Sequence, residues 1–406
     1  MSLTDLPIVQ YSPGVRRAAL PITTFVQAAS SAAVIGPTVA APVLLLRLQL
    51  GPAAVGIFVA LVYFAAMFAT QIGAFAVKRW GPIRASQLAL LCTAAGIALL
   101  ASPLLPVVAV GALLIGLGYG PITPASSHML ARTTDPRHYS LVFSIKQTGV
   151  PLGGVLAGLI VPPMVALGGA VGALAGMTAL CLIAALCAAP LARELDRDRD
   201  EQTPWPRPAQ TLHPMRFVVG EPMLRTLALC SLIFSIVQVS LTSYMVSFLT
   251  GDLHWTLVEA GAALAASQIA GVGARIGWGF VSDRWFGPRV TLLALAIAMA
   301  ICGLLMPLIT PSSPAAPIVV LLCVYGATGV GWNGVYLATV ARIAPAGQAA
   351  IATAGTLFFT FFGVVVGPPV FGAVGSALGS LGWAFSLLAL PLIASVWLLL
   401  RAGWSQ

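Results

Sequence analysis

Apolar residues gather along this chain in long blocks separated by short polar gaps. A helix needs about 20 apolar residues to cross the hydrocarbon core of a bilayer. Blocks of that length recur at about 20–45, 53–77, 83–101, 104–131, 139–162 and 166–190. After a polar segment they resume at about 224–250, 256–281, 289–310, 316–341, 347–374 and 380–401. The pattern predicts an all-α membrane protein with twelve spanning helices, numbered here span 1 to span 12. They form two six-helix bundles, residues 1–190 and 222–406, joined by a cytoplasmic linker, residues 191–221.

Composition supports lipid as the solvent. The chain is 59% hydrophobic and 8% charged, against about 25% charged in a soluble domain. The net charge of +9 would suggest nucleic acid in a soluble protein. Here the basic residues fall in the gaps between apolar blocks, so they report topology, and no nucleic-acid partner is expected. An inside N-terminus places 17 of the 20 Lys and Arg residues on the cytoplasmic side. Both termini are therefore assigned to the cytoplasm. The exceptions are Arg47 on the outer side and Lys146 and Arg275 within spans.

The linker, LARELDRDRDEQTPWPRPAQTLHPMRFVVGE, mixes charges of both signs with four prolines. It reads as a solvated helical extension rather than a binding tail. The N-terminus lacks the order of a cleaved signal peptide, so the first apolar run is expected to be a retained span. All six cysteines lie in apolar runs without metal or disulfide spacing, and no cofactor or metal site is expected. The bias of 18 Arg to 2 Lys, with abundant Ala and Gly, points to a GC-rich bacterium and hence to its inner membrane.

The two sets of spans echo one another. Span 4 carries IGLGYGPITPASSHMLAR and span 10 carries YGATGVGWNGVYLATVAR, with Gly116 and Gly326 at matching distances from Arg132 and Arg342. Between spans 2 and 3, GAFAVKRWGP (73–82) parallels GFVSDRWFGP (279–288) between spans 8 and 9. Repetition of this kind marks transporters whose pseudo-symmetric halves rock about a midplane site.

These features together resemble the major facilitator superfamily over essentially the whole chain. The most specific piece is the cytoplasmic loop pattern G-x-x-x-D-[RK]-x-x-x-[RK]. The second half fits with Gly279, Asp283, Arg284 and, offset by one, Arg289. The first half keeps Gly73, Lys78, Arg79 and Arg84 but has Val77 in the acid's place. In the family this loop latches the cytoplasmic side, which makes these residues candidate gate elements. Span 5 carries TGVPLGGVLAG, similar to a Gly-Pro-rich motif of the superfamily's exporters. Its small residues Gly149, Gly153 and Ala157 also predict close helix approach.

Two cations stand inside spans without a resident acid. All eleven acidic residues fall in tails, loops or span ends, and the innermost is Glu259 at the outer mouth of span 8. A charge at mid-membrane costs about 2.5–3.5 kcal/mol on the gentler scales. Lys146 on span 5 and Arg275 on span 8 both lie roughly 10 Å from the cytoplasmic interface, at 1.5 Å per residue. The resemblance implies that these spans face each other across the two halves, and an anion between the cations would neutralise both. Three other readings stay open: snorkelling to the surface, bonding of Arg275 to backbone carbonyls, and a neutral Lys146 amine.

Span 8, AGVGARIGWGFVSDR, resembles the corresponding helix of oxalate and monocarboxylate carriers. By that resemblance Arg275 binds the substrate carboxylate, though Gly271 stands where such carriers place an Asp. Further cavity candidates are Gln27, Ser31, Tyr119, Thr123, Gln238, Trp332, Asn333 and Tyr336, with Gln147 and Gln268 beside the cations. The glycines flanking Trp332-Asn333 are expected to open space around that pair. Lys146, His128 and Glu259 are the candidates for proton coupling. The expectation is a non-enzymatic, monomeric secondary transporter of a small organic anion, with a carboxylate favoured. It would be coupled to protons or to anion exchange; a proton-driven exporter of drugs or amphipathic compounds is the alternative.

Overall fold

Each apolar block becomes helix, and the polar or glycine-containing gaps become its ends. The computed structural model describes residues 11–134, 142, 145–197, 199–202, 204, 208–345 and 349–402. The expected start of span 5 near Tyr139, parts of the linker, and Asp5, Asp135 and Asp198 lie outside the described residues. Among those described, ten helical stretches are long and apolar enough to cross a membrane. Two of them, Ile145–Leu195 and Leu257–Leu308, run for 51 and 52 residues, which is two crossings each. The first reverses at Gly168 and Gly169, where Gly169 takes φ 60°, and Gly172 and Gly176 then pack back against Met164. The second turns through Ser282–Phe286 to Gly287 at φ 72°. The protein is thus an all-helical, multi-pass membrane protein with twelve crossings.

The outer surface of these helices is apolar. Leu46 and Leu167 are each 80% exposed, and many other large apolar side chains stand out with them. Such a surface is stable only against lipid. Span 1, helix Pro13–Val39, begins before its apolar block because Ser12 caps it and accepts from the Val15 N–H at 3.4 Å. Arg47, the one outer-side basic residue, donates to the Ala101 carbonyl just past span 3, helix Pro82–Leu99. It satisfies a helix end that lacks partners of its own.

Span 1 packs along the Gly149–Ala188 stretch and span 3 along span 4. Span 7, helix Pro222–Gly251, packs on span 11, helix Ala349–Leu378, and span 8 packs on span 10. The first six spans meet the last six mainly where span 5 faces span 8 and span 2, helix Ala53–Trp80, faces span 11. Glycines set these distances. A Cβ on Gly56 would lie 2.2 Å from the Pro368 carbonyl oxygen, and one on Gly158 would lie 2.4 Å from that of Gly261. Both pairs sit in the outer half of the membrane. Thr123 donates to the Gln27 Oε1 at 3.3 Å in the interior yet is exposed. With the outer ends in contact, water reaches it from the cytoplasmic side.

The linker departs from expectation at its start. Asp196 is 4% exposed rather than solvated. Its carboxylate accepts from the backbone N–H of Ile83 at 2.8 Å and of Arg84 at 3.1 Å. It therefore caps span 3, whose first N–H groups need acceptors. Gly81, at φ 88°, makes the room, since a Cβ there would lie 2.4 Å from the Asp196 carboxyl carbon. Asp200 N–H donates to the Lys78 carbonyl at 2.8 Å. Burial raises the Asp196 carboxyl above its ordinary range, against the opposing pull of those N–H bonds and of Arg84 and Arg199.

Candidate functional site

Spans 4 and 10 are each broken in the middle, and the breaks place the site. Span 4 is split into Leu105–Tyr119 and Ile122–Thr133, and span 10 into Ala315–Gly329 and Asn333–Ile343. A break frees backbone groups that a continuous helix would have paired. The Val330 carbonyl accepts from Arg275 Nε at 3.1 Å, and the Gln147 carbonyl of span 5 accepts from Arg275 Nη1 at 3.1 Å. Arg275 thus bonds across the junction of spans 5 and 8. A guanidinium has five N–H donors, so three remain for a ligand. The carbonyl-bonding reading of Arg275 holds in this conformation, and it leaves donors to spare.

Lys146 is 1% exposed. It does not snorkel, and no hydrogen-bond or ionic partner is assigned to it among the described residues. Seven residues on, Gly153 packs against the Ala28 carbonyl and Ser31 of span 1. Lys146, two turns earlier, shares that face. The side chain beside Arg275 is instead the neutral phenol of Tyr119, whose other polar neighbours are Ser31 and Tyr63. Lys146 lies on the span 1 face of span 5, while Arg275 reaches the Gln147 carbonyl next to it in the chain.

The remaining cavity candidates form two clusters. On the second-half side, Gln238 Oε1 accepts from Trp332 Nε1 at 3.0 Å and from Asn333 Nδ2 at 3.1 Å. Trp332 is fully buried, edge-to-face with Phe234 and Tyr336. Of its flanking glycines, a Cβ on Gly334 would meet only the Arg275 carbonyl oxygen, at 3.3 Å, but Gly331 does not open space. A Cβ on Gly331 would lie 2.3 Å from the Ala327 carbonyl oxygen and 2.8 Å from the Trp278 ring, so this glycine serves close packing. On the first-half side, Thr123, Gln27 and Ser31 form a hydrogen-bonded chain. Gln268 is buried against Gly154 of span 5. Gln238, Gln268, Tyr63, Pro151 and Val330 border a chamber of about 30 Å³ on the outer side of this layer.

The proton-coupling candidates separate from one another. His128 sits among Arg132, Lys78 and Asp196 near the cytoplasmic loop. Glu259 closes a capping box with Thr256 at the outer start of span 8. Lys146 alone lies at the depth of Arg275. Of the gate candidates, Asp283 pairs with Arg342 at 2.7 Å, Arg284 lies in the adjoining 282–286 turn, and Gly279 has open space around it. Gly73 packs on Pro121, Lys78 holds the linker through its carbonyl, and Arg79 lies in the last turn of span 2.

The sequence reading missed Tyr63, Phe361 and Asp196. Tyr63 stands 5.7 Å from Tyr119 and 6.4 Å from Phe361, ring centre to ring centre. A lone hydroxyl-bearing ring in the middle of span 2 is a readable signal for Tyr63. Phe361 is one apolar residue in an apolar run and carries none.

Twelve crossings, paired broken helices and a polar layer between two sets of spans define a membrane carrier fold. Residues 22–368 match the sequence profile of the Major Facilitator Superfamily, and the chain belongs to that family. It is a secondary transporter of a small molecule, not an enzyme. Among solved structures it is similar to a mutant of the nucleoside transporter NupG, with a TM-score of 0.78 and 16% identity over 95% of this chain and 99% of that one. It is also similar to a bacterial homolog of the human lysosomal transporter Spinster, in an inward-facing and unoccupied conformation. There the TM-score is 0.69 with 18% identity, over 96% of each chain. At these identities the likeness is one of fold. No curated relative matches in sequence.

Proposed function

We propose that the protein carries a small organic anion, a carboxylate, across a bacterial inner membrane by alternating access. Its halves, residues 1–190 and 222–406, would rock about Arg275. The observation that carries this reading is the Arg275 guanidinium at the junction of spans 5 and 8, with donors free and no acidic residue deeper in any span than Glu259 at the outer mouth of span 8. A planar guanidinium suits bidentate pairing with a carboxylate. The resemblance of span 8 to oxalate and monocarboxylate carriers points the same way.

The same bonds suggest how binding moves the protein. Arg275 Nη1 ties span 8 to the Gln147 carbonyl of span 5. A carboxylate that takes that donor releases the tie between the halves. Lys146, next in chain to Gln147, supplies a second positive charge and is the proposed protonation-coupled group. Gln238, Gln268, Trp332, Asn333 and Tyr119 shape the cavity as neutral polar walls. The gate is formed by Gly279, Asp283, Arg284, Gly73, Lys78 and Arg79.

The test is uptake of radiolabelled mono- and dicarboxylates into proteoliposomes by the wild type, Arg275→Gln and Lys146→Gln. Arg275→Gln is expected to abolish saturable uptake, and Lys146→Gln to lower it and flatten its pH dependence. Carboxylate transport untouched by both substitutions would refute the reading. Transport of cationic or neutral drugs in place of anions would favour an exporter.

A further inference from the structure

Most rings in the interior are packed shut: Trp332, Tyr244 and Tyr325 are 0% exposed, and Phe234 and Tyr336 are 1%. One contacting set of rings at mid-depth is not. Tyr63, Tyr119 and Phe361 each keep accessible surface. They come from spans 2, 4 and 11, so the set bridges both halves. Tyr63 is its centre, edge-to-face with Tyr119 at 70° and tilted by 36° against Phe361. Unfilled aromatic surface in the middle of a folded protein is free energy left unclaimed.

The ring set is continuous with the cation. Tyr119 is the polar neighbour of Arg275, so guanidinium, phenol and two further rings follow one another from the cytoplasmic side towards mid-membrane. Lys146 is turned to the span 1 face of span 5, so Arg275 is the cation from which the run begins. Beyond the rings, the chamber of about 30 Å³ between Tyr63, Gln238 and Gln268 holds no more than a water-sized group, so a ligand ends there.

Resting on the anion reading above, we infer that the cargo is an aromatic monocarboxylate. Its carboxylate takes the free donors of Arg275, and its ring packs on Tyr119, Tyr63 and Phe361. The layout disfavours a dicarboxylate, because no second cation stands at the far end of the run. It also disfavours the smallest aliphatic acids, which would leave the rings unfilled. A ring held between spans 2, 4 and 11 contacts both halves at once, which is what a translocated ligand must do.

Binding to the purified full-length protein tests this, since weak aromatic acids cross bilayers unaided and confuse uptake. The probes are benzoate, cyclohexanecarboxylate, acetate and oxalate, by calorimetry or competition. Benzoate and cyclohexanecarboxylate have similar bulk and the same single charge. The wild type is expected to bind benzoate about tenfold tighter than cyclohexanecarboxylate, the scale of an aromatic-pair preference. This comparison needs no variant to fold. Phe361→Leu and Tyr63→Leu are expected to erase that preference.

Tightest binding of oxalate or acetate, lost in Arg275→Gln, would overturn the aromatic inference and leave the anion reading standing. Equal binding of benzoate and cyclohexanecarboxylate would overturn it likewise. No Arg275-dependent binding of any probe would instead bring down the anion reading itself.

Discussion

The two halves solve the same problems with different residues at corresponding places. The break in span 4 frees the Gly120 carbonyl, four residues after Gly116, and Thr70 of span 2 donates to it at 3.3 Å. The matching break in span 10 frees the Val330 carbonyl, four residues after Gly326, and there the donor is Arg275 of span 8. Aligning Gly73 with Gly279 puts Arg275 opposite Ala69. Lys146 shows the same contrast. Gly153 packs on the Ala28 carbonyl of span 1, and Gly363 packs on the Leu232 carbonyl of span 7. Seven residues before each stand Lys146 and Thr356, and Thr356 is fully buried and neutral. Each internal cation therefore occupies a position at which the other half of the same fold stands without charge. The fold does not require either one.

That comparison can be broken by making the halves alike. Arg275→Ala and Lys146→Thr install the residue types of the opposite half and are expected to keep the helical content of wild type, with the thermal midpoint of Arg275→Ala lowered only by the loss of its carbonyl bonds, about 1–3 kcal/mol. Anion binding should fall by about a hundredfold or more in Arg275→Ala, since charge-assisted bonds contribute about 1.5–3 kcal/mol each. Circular dichroism with calorimetry reads both outcomes. A collapse of the fold in Arg275→Ala would mean that the bonds to Val330 and Gln147 are structural first.

The outer contact between halves comes next in expected size. Gly56→Val forces a side chain into the Pro368 carbonyl, and such overpacking costs about 1–3 kcal/mol. The cost falls only on the conformation in which spans 2 and 11 touch. Spin labels on the outer ends of those spans should move apart in Gly56→Val. Gly277→Ala, at a glycine with nothing within 4 Å, should leave the distance unchanged.

Much of this was legible in the sequence because lipid imposes a strong constraint. Backbone groups in hydrocarbon must pair within a helix, so apolar block length reads directly as crossings. The internal repeat and the loop at 279–289 then carried the fold. Arg275 and Lys146 were legible because a charge in such a block is costly and visible. Their relation was not, since matching depth along two helices says nothing of which face each residue occupies. Asp196 was hidden for a different reason. It serves a helix more than a hundred residues earlier in the chain, and a cap supplied from so far away leaves no mark near span 3.

The cytoplasmic loops extend the comparison at smaller scale. In the second half Asp283 pairs with Arg342, both more than half exposed. In the first half Val77, in the matching place, is buried at 3%, and the acid comes from the linker as Asp196. Exposed ion pairs contribute about 0–1 kcal/mol, whereas losing a buried acceptor that holds two backbone N–H groups costs about 1–3 kcal/mol. Asp196→Ala should therefore lower the thermal midpoint by clearly more than Asp283→Ala. Equal effects would place the two loops on one footing.

The smallest effect is one of pH, and its sign separates two forces on Asp196. Burial raises this carboxyl above its ordinary range although the N–H bonds of Ile83 and Arg84 pull it down. In the unfolded chain an aspartate titrates at about 3.9. As pH climbs from below that value, the unfolded state releases its proton first, and the native state follows only at its raised value. Stability from this group is thus fully present in acid and is lost as pH rises through that window. The advantage of wild type over Asp196→Asn should be largest near the ordinary aspartate range and narrow towards neutrality. Thermal midpoints of both proteins across that range measure it. An advantage that instead widens with pH would show that the two backbone bonds outweigh burial, and that the linker clasp is held by charge.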